Sequence, residues 1–528
     1  MAVAATVLVT PAVAACGSLP VTHGVHRVRG VFANAPADTN VRLIPAPPHP
    51  GDGPAEIVTG FLRAAATDVV RARQYLVSEA AWSAGAPLTV YSDSALTPTH
   101  VTTNPATAEH VETSTVTVAM TTVATLSAAG ALTPTTGRSV TQTFALADVP
   151  GIGWRISSAP SGVALSVSDL SSRVQVPLTF FAPTADVTVR TPVLLDPGED
   201  VATTAVDALL AAQPQGLRTF VPAGTALNDV SVSATTVVVD LTARAAAVSR
   251  DDLRKLGVQL AGTLLPLETD ATAVRIDVGG RPLEGSTRYT ASDVDSYDPE
   301  LSAPAGDPVV VDARGVHTTA LPGTGPPDAA GATPVAVSDD GHKVAWVHGR
   351  RVLVAPIDAL ADAVPATGVG TWASVSWGRD GSLWLVRDDV GASDDNVSVL
   401  PPGASAATPV ALPAALAGPV TGLHIARDGV SATIVSGGVL STVTVGSDAS
   451  GQSLHTAVPL ARTLSNVSVA TASGRDGALL AYGTSGGRRG LWRVATDLGS
   501  QLLSGAPVVA SVRGPCADGS GPTALALP

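Results

Sequence analysis

Four similar segments recur in the last 220 residues or so: SDDGHKVAWV, GRDGSLWLV, ARDGVSATIV and GRDGALLAYG. Their Asp340, Asp380, Asp428 and Asp476 lie roughly 40 to 48 residues apart. Each Asp-Gly is a hairpin turn leading into an alternating or apolar strand. The interval matches the ~40 to 45 residues of a four-stranded propeller blade. A sandwich of independent hairpins would not require a constant period. Counting from PVVVDARGVHTTALPG, the length allows about five blades, or six if some are short.

A chain of 528 residues exceeds one hydrophobic core, which stops growing near roughly 250 to 300 residues, so two to four domains are expected. Only 14% of residues are charged, while Gly, Pro, Ala, Val and Thr abound. That favours short strands between turns over long salt-bridged helices. A net charge of -13 repels nucleic acid and anionic surfaces. The longest basic runs are Arg350–Arg351 in GRRV and Arg488–Arg489 in GGRRG, both in turn-like settings that read as solvated loop tips.

Upstream of the repeats the pattern is α+β. Residues 33–55 are rich in Pro, Gly and Ala without apolar periodicity and read as an extended spacer. A helix then starts at Pro54, with Ile57, Phe61, Leu62, Ala65, Val69, Ala72 and Leu76 on one face. Strand-like alternation follows in HVETSTVTVAMTTVATLS and SVTQTFALADVPGIGWRISS. A second unit, near 175–295, carries a helix with Val206, Leu209 and Leu210 inward, then two strands in VPAGTALNDVSVSATTVVVDLT. A helix capped by Ser249 to Asp252 follows, with Leu253, Leu256, Leu260 and Leu264 as its stripe, and AVRIDVGGRPL closes the unit.

Residues 2–15, AVAATVLVTPAVAA, have the length of a signal-peptide apolar region, and no later stretch approaches the ~20 apolar residues of a span. Val13 to Cys16, VAAC, resembles the bacterial lipobox, in which cleavage precedes a cysteine that takes diacylglycerol. No Lys or Arg precedes the apolar run, which points to a start further upstream or a weak signal. Three readings of Cys16 stand: a lipidated anchor, a disulfide with Cys516, or a buried thiol. The first is preferred because a bridge would strand a signal-like segment on a folded surface. It leaves Cys516 a lone thiol in an oxidising compartment.

Catalytic motifs fail on order or spacing. Gly483 to Gly487, GTSGG, matches the nucleophile elbow formally, but strand-like sequence flanks it and no His follows His455. The ten histidines are scattered; His342 and His348 share at best one strand face, and no zinc constellation forms. Two acidic clusters offer calcium-type oxygens: Asp293, Asp295 and Asp298, and Asp388, Asp389, Asp394 and Asp395. Neither has a full EF-hand loop, so both read as solvated turns. No metal or cofactor is expected. The reading that remains is a non-catalytic interaction protein. Its alternatives are a periplasmic propeller enzyme, a cell-wall glycan binder and a purely structural spacer.

The lipobox, the helix-first domain, LRTFVPAGTALNDVSV with VVVDLT and VRIDVGGRPL, and the terminal propeller together resemble the LpqB lipoproteins of actinobacteria over essentially the whole chain. The middle unit looks like that family's GerMN domain through PAGT, VVVDL and VGGRPL. The resemblance implies a multidomain fold of two small α+β domains followed by an all-β propeller. The first α+β unit would be NTF2- or cystatin-like and the second GerMN-like. The expected boundaries are a signal peptide (1–15), a lipidated spacer (16–52), an N-terminal α+β domain (53–172), a GerMN-like domain (173–297) and a propeller (298–528). It also implies N-palmitoyl and S-diacylglycerol groups on Cys16 and a position on the extracytoplasmic face of the cell membrane. The implied partner is a sensor histidine kinase of the MtrA-MtrB type.

Overall fold

The computed structural model describes residues 46–504 except 79, 85–87, 93–97, 108–110, 171–172, 197–200, 213–215, 269, 302–308, 313–314, 319–333, 389–395, 415, 417, 449–450, 461–463, 474–477, 486 and 495–499. The expectations for Cys16, Cys516 and Asp476 lie outside the described residues, which all belong to one compact unit spanning 39–528.

Gly53 opens the first helix, Pro54–Thr67. Its amide donates to the Glu56 carboxylate at 2.8 Å, and Pro54 supplies a first-turn residue with no N–H to satisfy. Ile57, Val58, Phe61 and Leu62 are buried against a six-stranded sheet. There the Phe61 ring meets Trp82 and Phe144 edge-on at 5.2 and 6.1 Å. The expected stripe to Leu76 is interrupted. Asp68 turns extended, and its carboxylate accepts the Arg71 amide to start a short second helix, Val69–Arg73. Val69, expected on the buried face, is therefore 39% exposed. In the sheet, Ser114, Val116, Val118 and Met120 of strand Thr113–Leu126 alternate inward as a period of two requires.

The middle domain packs helices Val201–Ala211 and Arg250–Leu264 on one face of a sheet. In that sheet Leu227–Ser233 runs antiparallel to Thr236–Leu241, and Ala273–Val278 runs parallel to it. Ser249 caps the second helix by accepting the Asp252 amide at 3.1 Å. Leu253, Leu256, Leu260 and Leu264 are buried as their spacing demands, and Leu210 of the first helix is only half-buried.

An unforeseen hairpin, Val174–Phe181 with Thr188–Leu195, completes this domain. Pro177 and Pro192 argue against strands in the sequence. They face one another in register, so their missing donors fall on one rung of a two-stranded sheet. Gln259, fully buried, ties helix to hairpin: its Nε2 donates to the Thr179 carbonyl at 3.1 Å and its Oε1 accepts the Phe220 amide at 2.6 Å. Thr263 Oγ1 accepts the Thr179 amide at 3.0 Å.

Four four-stranded antiparallel sheets follow, each in sequential strand order, and they are numbered here as blades. Blade one spans 335–365, blade two 372–409, blade three 420–459 and blade four 465–504. The first strands of successive blades pack side by side, as the inner strands of a propeller do. A two-stranded hairpin, Val309–Asp312 with Gly315–Thr318, packs on blade one through Val309, Val316 and Trp346. The four blades and this hairpin stand against an expected five or six blades, with 319–333 and 505–528 outside the described residues.

Hydroxyls join the inner edges. Ser374 of blade two accepts the Leu423 amide of blade three at 3.2 Å and donates to the Leu423 carbonyl at 3.1 Å. Ser376 accepts the Ile425 amide at 3.0 Å.

Replacing Gln259 by Leu keeps the volume and leaves the Phe220 amide and Thr179 carbonyl without these partners. At about 1–3 kcal/mol for each buried unsatisfied group, urea titration is expected to show a loss of at least about 2 kcal/mol. An unchanged midpoint would contradict this account of the tie.

Candidate functional site

Three of the recurrent Asp-Gly segments lie among the described residues, and these are turns between first and second strands. Each is built alike. The glycine amide donates to the carbonyl three residues back at 3.0 Å, in Gly341 to Ser338, Gly381 to Gly378 and Gly429 to Ala426. The glycines sit at φ of +73, +79 and +73°, a region a side chain resists. The aspartate accepts the amide two residues on, from His342, Ser382 and Val430, at 3.0, 3.0 and 2.8 Å. A serine hydroxyl adds a bond to each, and the one from Ser338 is the main reason the Asp340 carboxyl is held below its usual range.

The residue before each of these aspartates varies: Asp339, Arg379 and Arg427. These side chains gather at one end of the propeller. Arg379 Nη1 lies 3.2 Å from Asp339 Oδ2 and donates to the Arg427 carbonyl at 3.0 Å. Arg427 Nη2 pairs with Asp339 Oδ1 at 3.0 Å and donates to the Asp339 carbonyl at 3.0 Å. Arg427 also reaches out of the propeller, its Nε donating to the Pro299 carbonyl at 3.3 Å.

Pro299 belongs to a strap after helix Ala291–Asp295 that is stapled to the middle-domain hairpin. Thr188 donates its amide to the Tyr297 carbonyl at 2.8 Å. Arg190 pairs with the fully buried Asp298 at 3.0 Å, whose other oxygen accepts the Glu300 amide at 2.9 Å. Beside the charges, Val430 of the blade three turn inserts among Ala182, Val187 and Val189. Burial of a valine side chain contributes roughly 1.5–3 kcal/mol. At this end of the propeller the turn of blade three is thus seated on the middle domain.

Burial also sets the protonation here. Desolvation raises the Glu300 carboxyl, against the lowering effect of Arg427, and the nearby Asp298, Asp428 and Asp339 raise it further. Asp339 is likewise raised, by burial above all, although Arg427 and Arg379 oppose this.

The other candidates from the sequence do not assemble into a catalytic or metal centre among the described residues. Asp293 caps its helix, accepting from the Thr290 amide and hydroxyl at 2.9 Å, and Asp298 is held as above. Asp388 is described, whereas Asp389, Asp394 and Asp395 are not. Gly483 to Ser485 end a strand, Ala478–Ser485, that turns back into Arg488–Val494, so this is a hairpin and not a strand-to-helix elbow. His342 is exposed ahead of strand Lys343–His348 and His348 ends it half-buried. The described residues hold no group of three His, Cys, Asp or Glu able to bind a metal. No described helix is long and apolar enough to cross a membrane. Arg379, Arg427 and Glu300 were not singled out from the sequence. The signal was there in the first letter of each RDG.

A chain of this design is a multidomain propeller protein whose third blade is held at one end to a GerMN-like domain. Family profiles match it in three consecutive parts: the N-terminal domain of lipoprotein LpqB over residues 47–171, a sporulation and spore germination domain over 173–284, and the LpqB beta-propeller domain over 309–520. The chain belongs to the LpqB family of lipoproteins. It is 29% identical to Lipoprotein LpqB of Thermobifida fusca, covering 88% of this chain and 84% of that one. It is 27% identical to Lipoprotein LpqB of Streptomyces coelicolor, covering 80% and 75%. Among solved structures, the first GerMN domain of the sporulation protein GerM from Bacillus subtilis matches 22% of this chain and 98% of its own, at 20% identity and a TM-score of 0.20.

Arg427→Ala leaves Asp339 with Arg379 as its one remaining cation of the two and removes the tie to Pro299. A broken buried pair costs about 3–5 kcal/mol, discounted here because the Arg427 side chain is 20% exposed. A loss of about 2–3 kcal/mol is expected in urea titration; wild-type stability would contradict it.

The raised Glu300 carboxyl takes up a proton more readily folded than unfolded. Its contribution is therefore full below the ordinary value of 4.5 and is lost as pH rises through the folded value. Glu300→Gln is expected to raise the melting temperature at pH 7 and to flatten its pH dependence between that value and neutrality. A steeper dependence in the variant would reverse the sign argued here.

Proposed function

We propose that this protein is a non-catalytic interaction protein anchored by lipid on Cys16 at the extracytoplasmic face of the cell membrane. Its propeller engages the extracellular part of a sensor histidine kinase of the MtrB type. Binding there tunes two-component signalling linked to envelope upkeep and division. The observation that carries the reading is the architecture itself: an LpqB-family chain whose charged turn residues are spent on tying three blades together and, through Arg427, on holding the propeller to the middle domain. Such groups serve rigidity and orientation, which an extended binding module needs and which bond-making chemistry does not use. The VAAC sequence ending at Cys16 supplies the anchor, N-palmitoyl and S-diacylglycerol, and the spacer to residue 52 gives the folded part its distance from the lipid.

Crosslinking in intact cells followed by affinity capture of the full chain tests this. Recovery of an envelope sensor kinase is expected, along with loss of fatty-acid label and of the membrane-bound fraction in Cys16→Ser. Capture of cytosolic proteins alone would overturn the partner reading. Undiminished label in Cys16→Ser would overturn the anchor.

A further inference from the structure

Antiparallel strands alternate direction, so in each blade the turn between second and third strands lies at the end opposite the Asp-Gly turn. In blade one this far turn joins Lys343–His348 to Arg351–Pro356, with His348 paired to Arg351 across a two-residue loop. In blade four it joins Ala478–Ser485 to Arg488–Val494, with Ser485 paired to Arg488 across a loop of the same length. The two basic pairs of the sequence therefore occupy matching positions. Arg351 and Arg488 are each the first residue of a third strand, and Arg350 and Arg489 flank them. All four are exposed. The matching turn of blade three is Gly437–Gly438, leading into Val439. That of blade two begins at Asp388.

We propose that this far end of the propeller docks an acidic surface of a partner protein, with the arginines of blades one and four as its contacts. The argument is one of charge and access. The chain carries a net charge of -13 and repels an acidic partner over most of its surface. The near-end arginines, Arg379 and Arg427, are only 25% and 20% exposed and already paired with Asp339. Among the described residues no carboxylate forms an ion pair with Arg351, Arg488 or Arg489; Arg489 lies instead over the Tyr482 ring at 5.3 Å. Exposed arginines on an otherwise acidic body steer a complementary surface to one place and reject approach elsewhere. Their planar guanidinium groups bind carboxylates two bonds at a time. The acidic start of the blade two loop at Asp388 gives the end a polarity that fixes the angle of docking.

This deepens the partner reading above and rests on it only for the identity of the kinase. The test compares the full-length protein in detergent with the variant Arg350→Glu, Arg351→Glu, Arg488→Glu, Arg489→Glu. A control of equal charge change reverses Arg63, Arg244, Arg250 and Arg281. Binding is read against the purified extracellular domain of the kinase and, separately, against poly-L-glutamate and polyphosphate at two salt concentrations. Expected is at least a tenfold weakening for the far-end variant on the kinase domain and on poly-L-glutamate, steeper at low salt, with the control within threefold of wild type. Equal losses in the two variants, or wild-type protein that fails to bind poly-L-glutamate, would overturn the proposal. Arginine-dependent binding of polyphosphate alone would replace it by a phosphate-polymer site. If wild type ignores the kinase domain but binds poly-L-glutamate through these arginines, the kinase reading falls and the docking surface stands.

Discussion

One guanidinium holds three things together. Arg427 pairs with a carboxylate of blade one, donates to that residue's carbonyl, and donates across to the strap of the middle domain. A buried ion pair is a poor source of net stability, because removing both charges from water costs about as much as their attraction returns. What it supplies is geometry: the pairing with Asp339 holds the Arg427 side chain so that its Nε meets the Pro299 carbonyl, and any other rotation of the propeller would lose that bond. Adhesion comes from the apolar contact beside it, where Val430 sits among Ala182, Val187 and Val189. The charged network sets the angle, and the valine holds the faces together.

The same division of labour recurs inside the propeller. Apolar rows such as Val386, Val399, Ile434 and Val443 fill the space between blades. They leave the inner edges of neighbouring sheets with polar backbone groups that no strand pairs. Ser374 and Ser376 satisfy blade three from blade two, and the Trp377 indole N–H reaches the Ala336 carbonyl of blade one at 3.1 Å. A small hydroxyl suits this because it both accepts an amide and donates to a carbonyl within one pleat. These stitches are short-range and directional, so they fix the stagger of successive blades as Arg427 fixes the angle of the whole.

Much of this was legible in the sequence, and the parts that were not share a cause. The helix stripes, the Ser249 cap, the strands Leu227–Ser233 and Thr236–Leu241 and the blade period all follow from local patterns of spacing and turn chemistry. The continuous helix through Val69 was misjudged because a periodic stripe persists across Asp68 while the backbone does not. The Val174–Leu195 hairpin was missed because its prolines oppose strand assignment one at a time and become acceptable only when paired. The junction was invisible for a related reason. Asp339, Arg379 and Arg427 stand 40 and 48 residues apart, and only closure of the blades brings equivalent turn positions together. The repeat itself was readable, but the meaning of its variable letter required the fold.

That variable letter also separates the two ends of the propeller by their physical state. At the end joined to the middle domain, carboxylates and guanidinium groups have already exchanged water for one another. A newcomer there would have to restore hydration to Arg427 and expose Val430 before gaining any contact of its own. At the other end, Arg350, Arg351, Arg488 and Arg489 face solvent, and pairing them leaves the apolar packing of the blades intact. Affinity is the surplus of new contacts over those given up, so two ends built on one repeat differ in what they can bind. The repeat keeps the turn scaffold constant while the residue before Asp-Gly and the residues opening each third strand carry the distinction.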